Sequence, residues 1–191
     1  LASLFYDVRH SVGYGLHAVE RNRIISGRAL GYAPQGVPDF GLARARFAAD
    51  DERYAVLLHA TARPEKEWPE DNWIALGKTL GDLPLVLPWG TDVERARSER
   101  LAAALPRARV PERAPLDRVA QMMAGAQFVV GVDTGLMHLA AALGVPLVAI
   151  FTGSKPGLTG PVGTGPIAVL GTHGAAPAAD EVIEAVEKLA R

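Results

Sequence analysis

The stretch VVGVDTGLMHLAAALGVP, residues 129–146, joins two apolar runs through the short sequence Asp-Thr-Gly. The first run is rich in β-branched residues and predicts a buried strand that ends at Val132. In the second run apolar residues recur at helical spacing, and Gly144 and Pro146 predict the end of that helix. Ligands of open α/β sheets bind where a strand ends and a helix begins. The polar residues predicted at that place are Asp133, Thr134, Gly135 and His138.

Strands and helices alternate on both sides of this stretch. The predicted strands cover residues 54–59, 85–90, 107–110, 127–132, 147–151 and 167–170. The predicted helices cover residues 69–81, 92–105, 115–126, 135–143 and 178–190. Such alternation predicts an α/β fold with a Rossmann-like, doubly wound parallel sheet.

The remaining segments are less regular. A helix is predicted within residues 16–32, and the Pro- and Gly-bearing residues 33–52 favour a linker. The loop 152–166 is interpreted as an ordinary surface connection around Lys155. Because Leu1 stands inside what reads as an element already under way, we expect the chain to be a fragment.

Composition excludes several classes of protein. The 20 basic and 21 acidic side chains give a net charge of −1, which offers no electrostatic basis for nucleic-acid binding. The absence of cysteine excludes disulfides and thiolate metal sites and suits a reducing compartment. No apolar run approaches the roughly 20 residues that span a bilayer, and we expect no signal peptide. Carboxylates with metal-ligand spacing are also absent, so no metal site is predicted. The dinucleotide and P-loop fingerprints are absent as well.

Three loops at predicted strand ends carry most of the polar chemistry: residues 59–69, 88–94 and 133–138. The first loop contains Thr61, Arg63 and Lys66, which offer a hydroxyl and two positive charges. A glycine at a helix N-terminus lets backbone N–H groups approach an anion closely, and the helix dipole adds to the attraction. A lysine supplies a point charge to a phosphate. The three loops together predict a site for a phosphate-bearing ligand, namely a nucleotide.

Several of these residues also have a purely structural interpretation. Asp133 and Thr134 can cap the helix that follows them. His138 faces an apolar helix and can be an interior histidine. Glu94 stands three residues after Thr91, so TDVE matches a capping box.

The first loop allows a structural interpretation as well. Arg63 and Lys66 can form solvated pairs with Glu65 and Glu67. The three tryptophans are predicted to be packing residues: Trp68, Trp73 and Trp89. The convergence of three loops on one edge of the sheet is what favours a functional site.

A family resemblance rests on several motifs taken in order. SLFYDVRHSVGYGLHAVERNR, LHATARPEKEWPEDNW, LPWGTDVERARSERLA, MAGAQFVVGVDTGLMHLAAAL and PGLTGP together resemble the heptosyltransferases, inverting glycosyltransferases of the GT-B type. In that family two Rossmann-like domains face each other across a cleft. The carboxyl-terminal domain binds ADP-L-glycero-D-manno-heptose, and the amino-terminal domain binds the Kdo-lipid A acceptor. The resemblance implies that residues 53–191 are the ADP-heptose-binding domain and residues 1–52 the tail of the amino-terminal domain with the interdomain linker.

The resemblance also implies roles for individual residues. Thr61 and Lys66 match residues on the diphosphate side, and Glu94 matches the acid that holds the ribose hydroxyls. The D-T-G-L-x-H motif, which receives the diphosphate and the sugar, corresponds to Asp133, Thr134, Gly135 and His138. Two positions depart from the family pattern, in which larger side chains can occur there. Ala62 replaces a second threonine and Ala114 lies near the adenine, so only their backbones remain for contact.

The resemblance further implies which domain of the enzyme performs each part of the reaction. Lys66, Thr134 and the N-terminus of helix 135–143 would neutralise the departing ADP. The catalytic base, an aspartate, belongs to the amino-terminal domain, so we expect this chain to bind ADP-heptose without transferring heptose. No cofactor is implied, and the full enzyme would be cytoplasmic and peripheral at the inner membrane. The basic face of Arg21 and Arg23 would meet the anionic acceptor or membrane, or else pack against the missing domain.

Two other classes of function stay open at this point. One is another GT-B nucleotide-sugar enzyme, such as a different heptose transferase or an epimerase, which nucleotide preference would distinguish. The other is a non-catalytic nucleotide-binding module, in which restoring the missing half would give no transfer. Hydrolase chemistry is disfavoured because G-x-S-x-G is absent.

Overall fold

A computed structural model describes residues 5–47 and 53–189. Its strands are β1 Ala55–Leu58, β2 Leu85–Val86, β3 Ala108–Arg109, β4 Phe128–Val132, β5 Leu147–Phe151 and β6 Ile167–Gly171. They form one sheet in the order β3-β2-β1-β4-β5-β6, and every neighbouring pair is parallel. The predicted Rossmann-like, doubly wound sheet is therefore confirmed.

The helices lie where the sequence predicts them. They are α1 Ala18–Leu30, α2 Glu70–Thr79, α3 Asp92–Ala104, α4 Leu116–Gly125, α5 Gly135–Ala142, α6 Pro156–Thr159 and α7 Ala179–Leu189. Two details differ from expectation. The predicted strand 85–90 ends after Val86, because Pro88 lacks the N–H that a ladder requires. The predicted loop 152–166 contains the short helix α6.

The core consists of two layers, one on each face of the sheet. Side chains of β1 alternate between them: Val56 and Leu58 pack with α4 and α5, whereas Ala55 and Leu57 pack with α2, α3 and α7. Strands β1, β4 and β5 are buried along their whole length. Burial on both faces explains why these strands read as continuous apolar runs rather than as alternating ones.

The segment 5–47 lies outside the sheet and packs beside α4 and α6. Arg44, in the 3-10 turn Arg44–Arg46, donates hydrogen bonds of 2.8 and 2.6 Å to the carbonyls of Ala124 and Ala126. The His17 ring lies 3.1 Å from the Gly160 carbonyl. The expected domain boundary after residue 52 borders residues 48–52, which lie outside the described residues, so the boundary stays a prediction.

Candidate functional site

The order of the strands brings three loops to one edge. Strands β1 and β4 are neighbours at the point where the strand order reverses, and β5 follows β4. The chain leaves β1 toward α2 and leaves β4 toward α5, and these helices cover opposite faces. A crevice therefore opens beyond the carboxyl ends of β1 and β4. The loops after β1, β4 and β5 all reach it.

Lys66 and Asp133 form an ion pair in this crevice. The 3-10 turn Pro64–Lys66 returns the chain to the sheet edge, where Lys66 Nζ lies 2.7 Å from Asp133 Oδ2. Both side chains are largely buried, with 16% and 7% of their surface exposed. Arg63 instead pairs with Glu65 at 3.3 Å in solvent. The solvated-pair interpretation is therefore right for Arg63 and wrong for Lys66.

Asp133 is the centre of a small polar network. Its Oδ2 accepts hydrogen bonds from Lys66 and from the Ser154 hydroxyl, and its Oδ1 lies 3.7 Å from His138 Nε2. Burial acts to raise the pKa of Asp133, but His138, Lys66 and Ser154 outweigh it and hold that pKa well below the ordinary range. The carboxylate is therefore ionised, and it orients the cation and the hydroxyl around it.

Helix α5 begins beside this carboxylate. Thr134 is its N-cap residue, yet the Thr134 side chain makes no capping hydrogen bond within the described helix. The Asp133 carboxylate is likewise engaged by side chains of other loops. The capping interpretation of both residues is therefore wrong. The exposed Gly135 leaves the first turn of α5 open to approach.

His138 lies at the mouth of the crevice rather than in the core. Its side chain is 42% exposed, and its Nε2 faces Asp133. The interior-histidine interpretation is therefore wrong. Thr61 holds the loop after β1 beside Asp133, because its Oγ1 donates to the Asp133 carbonyl at 3.3 Å.

A cleft of about 760 Å³ borders the loop that carries Lys66. It runs between the loop after β1 and the start of α3, and its lining includes Thr61, Ala62, Thr91, Glu94, Arg97 and Arg100. The capping box is present: Thr91 Oγ1 accepts from Glu94 N at 3.3 Å, and Glu94 Oε2 accepts from Gly90 N at 2.7 Å and Thr91 N at 3.1 Å. Glu94 thus caps α3 and lines the cleft at once.

Of the predicted site residues, Thr61, Ala62 and Glu94 line this cleft, whereas Ala114 does not. It is half-buried in the coil before α4 and directly follows residues 110–113. Those residues, with Trp89, Arg95 and Glu99, line a separate cavity of about 400 Å³. The predicted adenine contact of Ala114 stays a prediction.

Thr152 and Ser154 are not among the residues that the sequence predicts for the site. Ser154 donates to Asp133, and Thr152 Oγ1 donates to the Glu65 carbonyl at 2.8 Å. The interpretation of this loop as an ordinary surface connection is therefore wrong. The available signal was its position, because T-G-S directly follows a predicted strand and so lies at the ligand-binding edge.

Arg97 was also missed. It is 8% exposed, donates to the Trp68 carbonyl at 2.6 Å and pairs with the Glu67 carboxylate. Arg97 therefore fixes α3 to the residues that follow Lys66. Its motif, DVERARSERL, reads as a solvated helix face and gives no sign of burial. Trp68 and Trp73 are fully buried and meet edge to face, as predicted for packing residues.

His59 is buried directly behind the cleft. Ser98 Oγ donates its one proton to the Leu87 carbonyl at 3.3 Å, so His59 Nε2 must donate to Ser98 Oγ at 2.8 Å. Burial and the nearby Arg97 lower the pKa of His59 to about 4. The imidazole is therefore neutral, and its Nδ1 has no hydrogen-bond partner among the described residues. These contacts indicate a structural role.

The part of the chain that the structure describes contains neither a metal-binding cluster nor a membrane-spanning helix. No group of three or more His, Cys, Asp or Glu side chains within 5–47 and 53–189 is placed to hold a metal ion. Over the same ranges, no helix combines the length and apolarity needed to cross a bilayer.

The doubly wound sheet and the charged crevice at its carboxyl edge define a Rossmann-like domain of the type that binds phosphate-bearing ligands. The family described as glycosyltransferase family 9 (heptosyltransferase) matches residues 1–187. The chain belongs to this family.

Curated relatives extend the comparison. Lipopolysaccharide heptosyltransferase 1 of Salmonella typhimurium is 44% identical over 169 residues, which are 85% of this chain and 53% of the relative. The protein of the same name from Pseudomonas aeruginosa is 45% identical over 168 residues, covering 85% and 47%. The chain thus spans about half the length of the curated relatives it matches.

Solved structures agree with this relationship. The E. coli heptosyltransferase WaaC with ADP superposes with a TM-score of 0.85 at 37% identity, over 98% of this chain and 61% of that one. The same enzyme with ADP-2-deoxy-2-fluoro heptose gives 0.80 at 38% identity, over 98% and 60%. A family 9 glycosyltransferase from Veillonella parvula, at 19% identity and a TM-score of 0.75, shares the fold over 98% and 64%.

Proposed function

We propose that this chain is the donor-binding half of a lipopolysaccharide heptosyltransferase. The complete enzyme transfers L-glycero-D-manno-heptose from ADP-heptose to Kdo-lipid A with inversion. Relatives at 44% and 45% identity carry the name lipopolysaccharide heptosyltransferase 1. The related WaaC structures are described with ADP and with a fluorinated ADP-heptose. These similarities support the donor class, and residues 53–191 are the part of the chain assigned to it.

The observation that carries the proposal is the Lys66–Asp133 pair at the N-terminus of α5, beside a nucleotide-sized cleft. In the proposed complex the diphosphate lies between the Lys66 ammonium and the first turn of α5, at Thr134 and Gly135. The helix dipole and the N–H groups that begin that turn favour an anion there. His138 and Asp133 then face the sugar from the same turn.

The nucleoside occupies the cleft between the loop after β1 and α3. Thr61 contributes its hydroxyl and Ala62 its backbone, while Glu94 accepts hydrogen bonds from the ribose. Both capping bonds of Glu94 use Oε2, and Oε1 takes no hydrogen bond from the described residues. Capping and ribose binding are therefore compatible in one side chain. Ala114 contributes a backbone contact near the adenine.

The chain's part in transfer is to stabilise the leaving group. As the bond from the anomeric carbon to the diphosphate breaks, negative charge grows on ADP. Lys66 and the α5 N-terminus, fixed in advance, meet that charge. The base that takes the proton of the acceptor hydroxyl comes from the part of the enzyme outside this chain, and no metal or other cofactor takes part in this proposal. Because the acceptor is a lipid, the complete enzyme works as a peripheral protein at the cytoplasmic face of the inner membrane.

The test is titration calorimetry of the 191-residue chain with ADP, UDP and GDP. ADP has about 27 non-hydrogen atoms, so at about 0.3 kcal/mol per atom its best affinity is micromolar. We expect ADP to bind best, Lys66→Ala to weaken it at least tenfold, and the exposed Lys78→Ala to leave it unchanged. Equal binding of UDP would indicate a different nucleotide-sugar enzyme. Absence of ADP binding would overturn the proposal for this chain.

A further inference from the structure

The loop after β5 contacts the backbone next to Lys66 and the side-chain partner of Lys66. Thr152 Oγ1 donates to the carbonyl of Glu65, the residue before Lys66, at 2.8 Å. Ser154 donates to Asp133 Oδ2, the same oxygen that accepts from Lys66 Nζ. Two contacts from one loop therefore fix the position of a single ammonium group. Residues 152–154 are called the strap below.

The strap is itself held in place. Gly174 N donates to the Thr152 carbonyl at 2.8 Å, and the His173 ring lies 3.0 Å from the Gly153 carbonyl. Gly153 sits so close to the loop after β1 that a Cβ atom there would lie 2.7 Å from the Glu65 carbonyl oxygen. This contact distance admits only glycine without a shift of one loop.

The chemistry of Asp133 gives Ser154 a specific task. Asp133 is 6% exposed, and an ionised carboxylate that loses its partners at that depth is costly. When Lys66 turns to a diphosphate oxygen, Asp133 Oδ2 loses its lysine donor. The Ser154 hydroxyl remains as a donor to that oxygen and lowers the cost of the exchange.

We propose that Ser154 is a positioning residue for donor binding: its hydrogen bond keeps Asp133 satisfied while Lys66 moves to the diphosphate. This inference rests on the proposed function and extends it to a residue that does not itself touch the ligand. Ser154→Ala removes the remaining donor to Oδ2, leaves only His138 near Oδ1 at 3.7 Å, and so holds Lys66 on Asp133. Ser154→Thr keeps a hydroxyl at the same place.

The experiment measures ADP affinity by calorimetry and thermal unfolding for three variants of the 191-residue chain. We expect Ser154→Ala to weaken ADP binding about tenfold and Ser154→Thr to restore it to within about threefold. Thr159→Ala removes an exposed hydroxyl of the same loop, bonded only to the Lys155 carbonyl at 3.5 Å among the described residues, and is the matched control. It should bind ADP as the unsubstituted chain does.

A second readout reports on the lysine directly. The chain has four lysines, so ¹⁵N-labelled side-chain ammonium signals are few, and Lys66→Ala identifies the one at the site. ADP should shift the Lys66 signal in the unsubstituted chain and in Ser154→Thr, and shift it much less in Ser154→Ala at equal ADP concentration. If Ser154 were merely structural, Ser154→Ala would alter the melting temperature, but ADP would shift the Lys66 signal equally in Ser154→Ala and Ser154→Thr.

The outcomes separate the two proposals. If the unsubstituted chain binds ADP and Ser154→Ala binds it equally well, the positioning role is overturned and the proposed function stands. Loss of binding in both Ser154→Ala and Ser154→Thr also overturns the role of the hydroxyl. If the unsubstituted chain fails to bind ADP, the proposed function and this inference fall together.

Discussion

Lys66 Nζ lies 2.7 Å from Asp133 Oδ2, although the two residues are 67 positions apart in the sequence. One follows β1 and the other follows β4, and only the parallel pairing of those strands brings them together. The pair places an ammonium group at the N-terminus of α5 while its own charge is balanced. A lysine held this way is available to an anion that competes with the carboxylate.

The energetic coupling of this pair can be measured. Lys66→Met leaves a buried carboxylate with fewer donors, and Asp133→Asn leaves a buried ammonium without its counter-ion, so each should lower the free energy of unfolding by about 1–3 kcal/mol. In the double variant neither charge remains, and the loss should be smaller than the sum by about 0.5–3 kcal/mol. Urea denaturation of the four proteins at pH 7 measures the coupling. Strictly additive losses would contradict a direct interaction.

His59 makes stability depend on pH. The unfolded chain protonates this histidine as pH falls through about 6.5, whereas the folded chain keeps it neutral until about pH 4. Between these values the unfolded state binds more protons, so the free energy of unfolding decreases as pH is lowered, by up to about 3 kcal/mol. Urea denaturation between pH 7 and pH 4 measures this loss.

The variant His59→Leu removes the titrating group and should flatten the pH dependence over that range. His10→Leu, in the segment outside the sheet, is the control and should keep the slope of the unsubstituted chain. An equally steep slope in His59→Leu would mean that another group governs the loss of stability in acid.

Asp133 acts in a lower pH range than His59 and in the same direction. Its pKa is depressed in the folded chain, so its contribution to stability is present above the ordinary aspartate pKa and is lost as pH falls through the folded value. Asp133→Asn should therefore be less stable at pH 7 but lose less stability below about pH 4. Denaturation curves at pH 7, 4 and 3 compare the two proteins. A constant difference at all three values would contradict the depressed pKa.

The close contact between the strap and the loop after β1 is tested by replacing Gly153, which lies at the contact, and Gly157, which serves as the control. Gly153→Ala places a Cβ 2.7 Å from the Glu65 carbonyl oxygen, so one loop must move, at a cost of about 1–3 kcal/mol, and Lys66 moves with it. Gly157→Ala meets nothing within 4 Å and should be neutral or slightly stabilising. Thermal unfolding and ADP titration should both separate the variants. Equal behaviour would show that the close approach is unimportant.

Local patterns were sufficient to predict the sheet and part of the site. The apolar runs of β4 and β5, and the helical spacing after Gly135, depend on neighbours in sequence, so they predict elements within a few residues. Thr61, Lys66 and Asp133 follow predicted strands, and the rule that ligands bind at strand ends was enough to group them. The shortening of β2 depends on Pro88, which a run of apolar residues conceals.

The missed residues depend on which strands are neighbours. Ser154 reaches Asp133 only because β5 pairs with β4, and periodicity does not give strand order. Arg97 is buried because α3 packs over the loop after β1, although its own motif has the composition of an exposed helix face. His138 lies on an apolar helix, but it is in the first turn of that helix, at the carboxyl edge of the sheet, and its side chain is therefore half-exposed.

The two roles of Glu94 can be separated by substitution. Glu94→Gln keeps an oxygen that can accept from Gly90 N and Thr91 N, since glutamine also serves in a capping box, so stability should change little. It removes the carboxylate charge, so ADP affinity should fall about tenfold. Thr91→Ala should lower the free energy of unfolding by about 1 kcal/mol, with ADP affinity nearly unchanged.

A ligand that lacks the ribose 2′-hydroxyl provides the control for Glu94. If the carboxylate accepts from the 2′-hydroxyl, the unsubstituted chain should bind ADP several-fold more tightly than 2′-deoxy-ADP, and Glu94→Gln should lose most of that preference. Thr91→Ala, in which the carboxylate is intact, should retain the preference. Titration calorimetry of three proteins with two nucleotides measures all six affinities. A preference for ADP that is unchanged in Glu94→Gln would assign the ribose to other residues and leave Glu94 with the capping role alone.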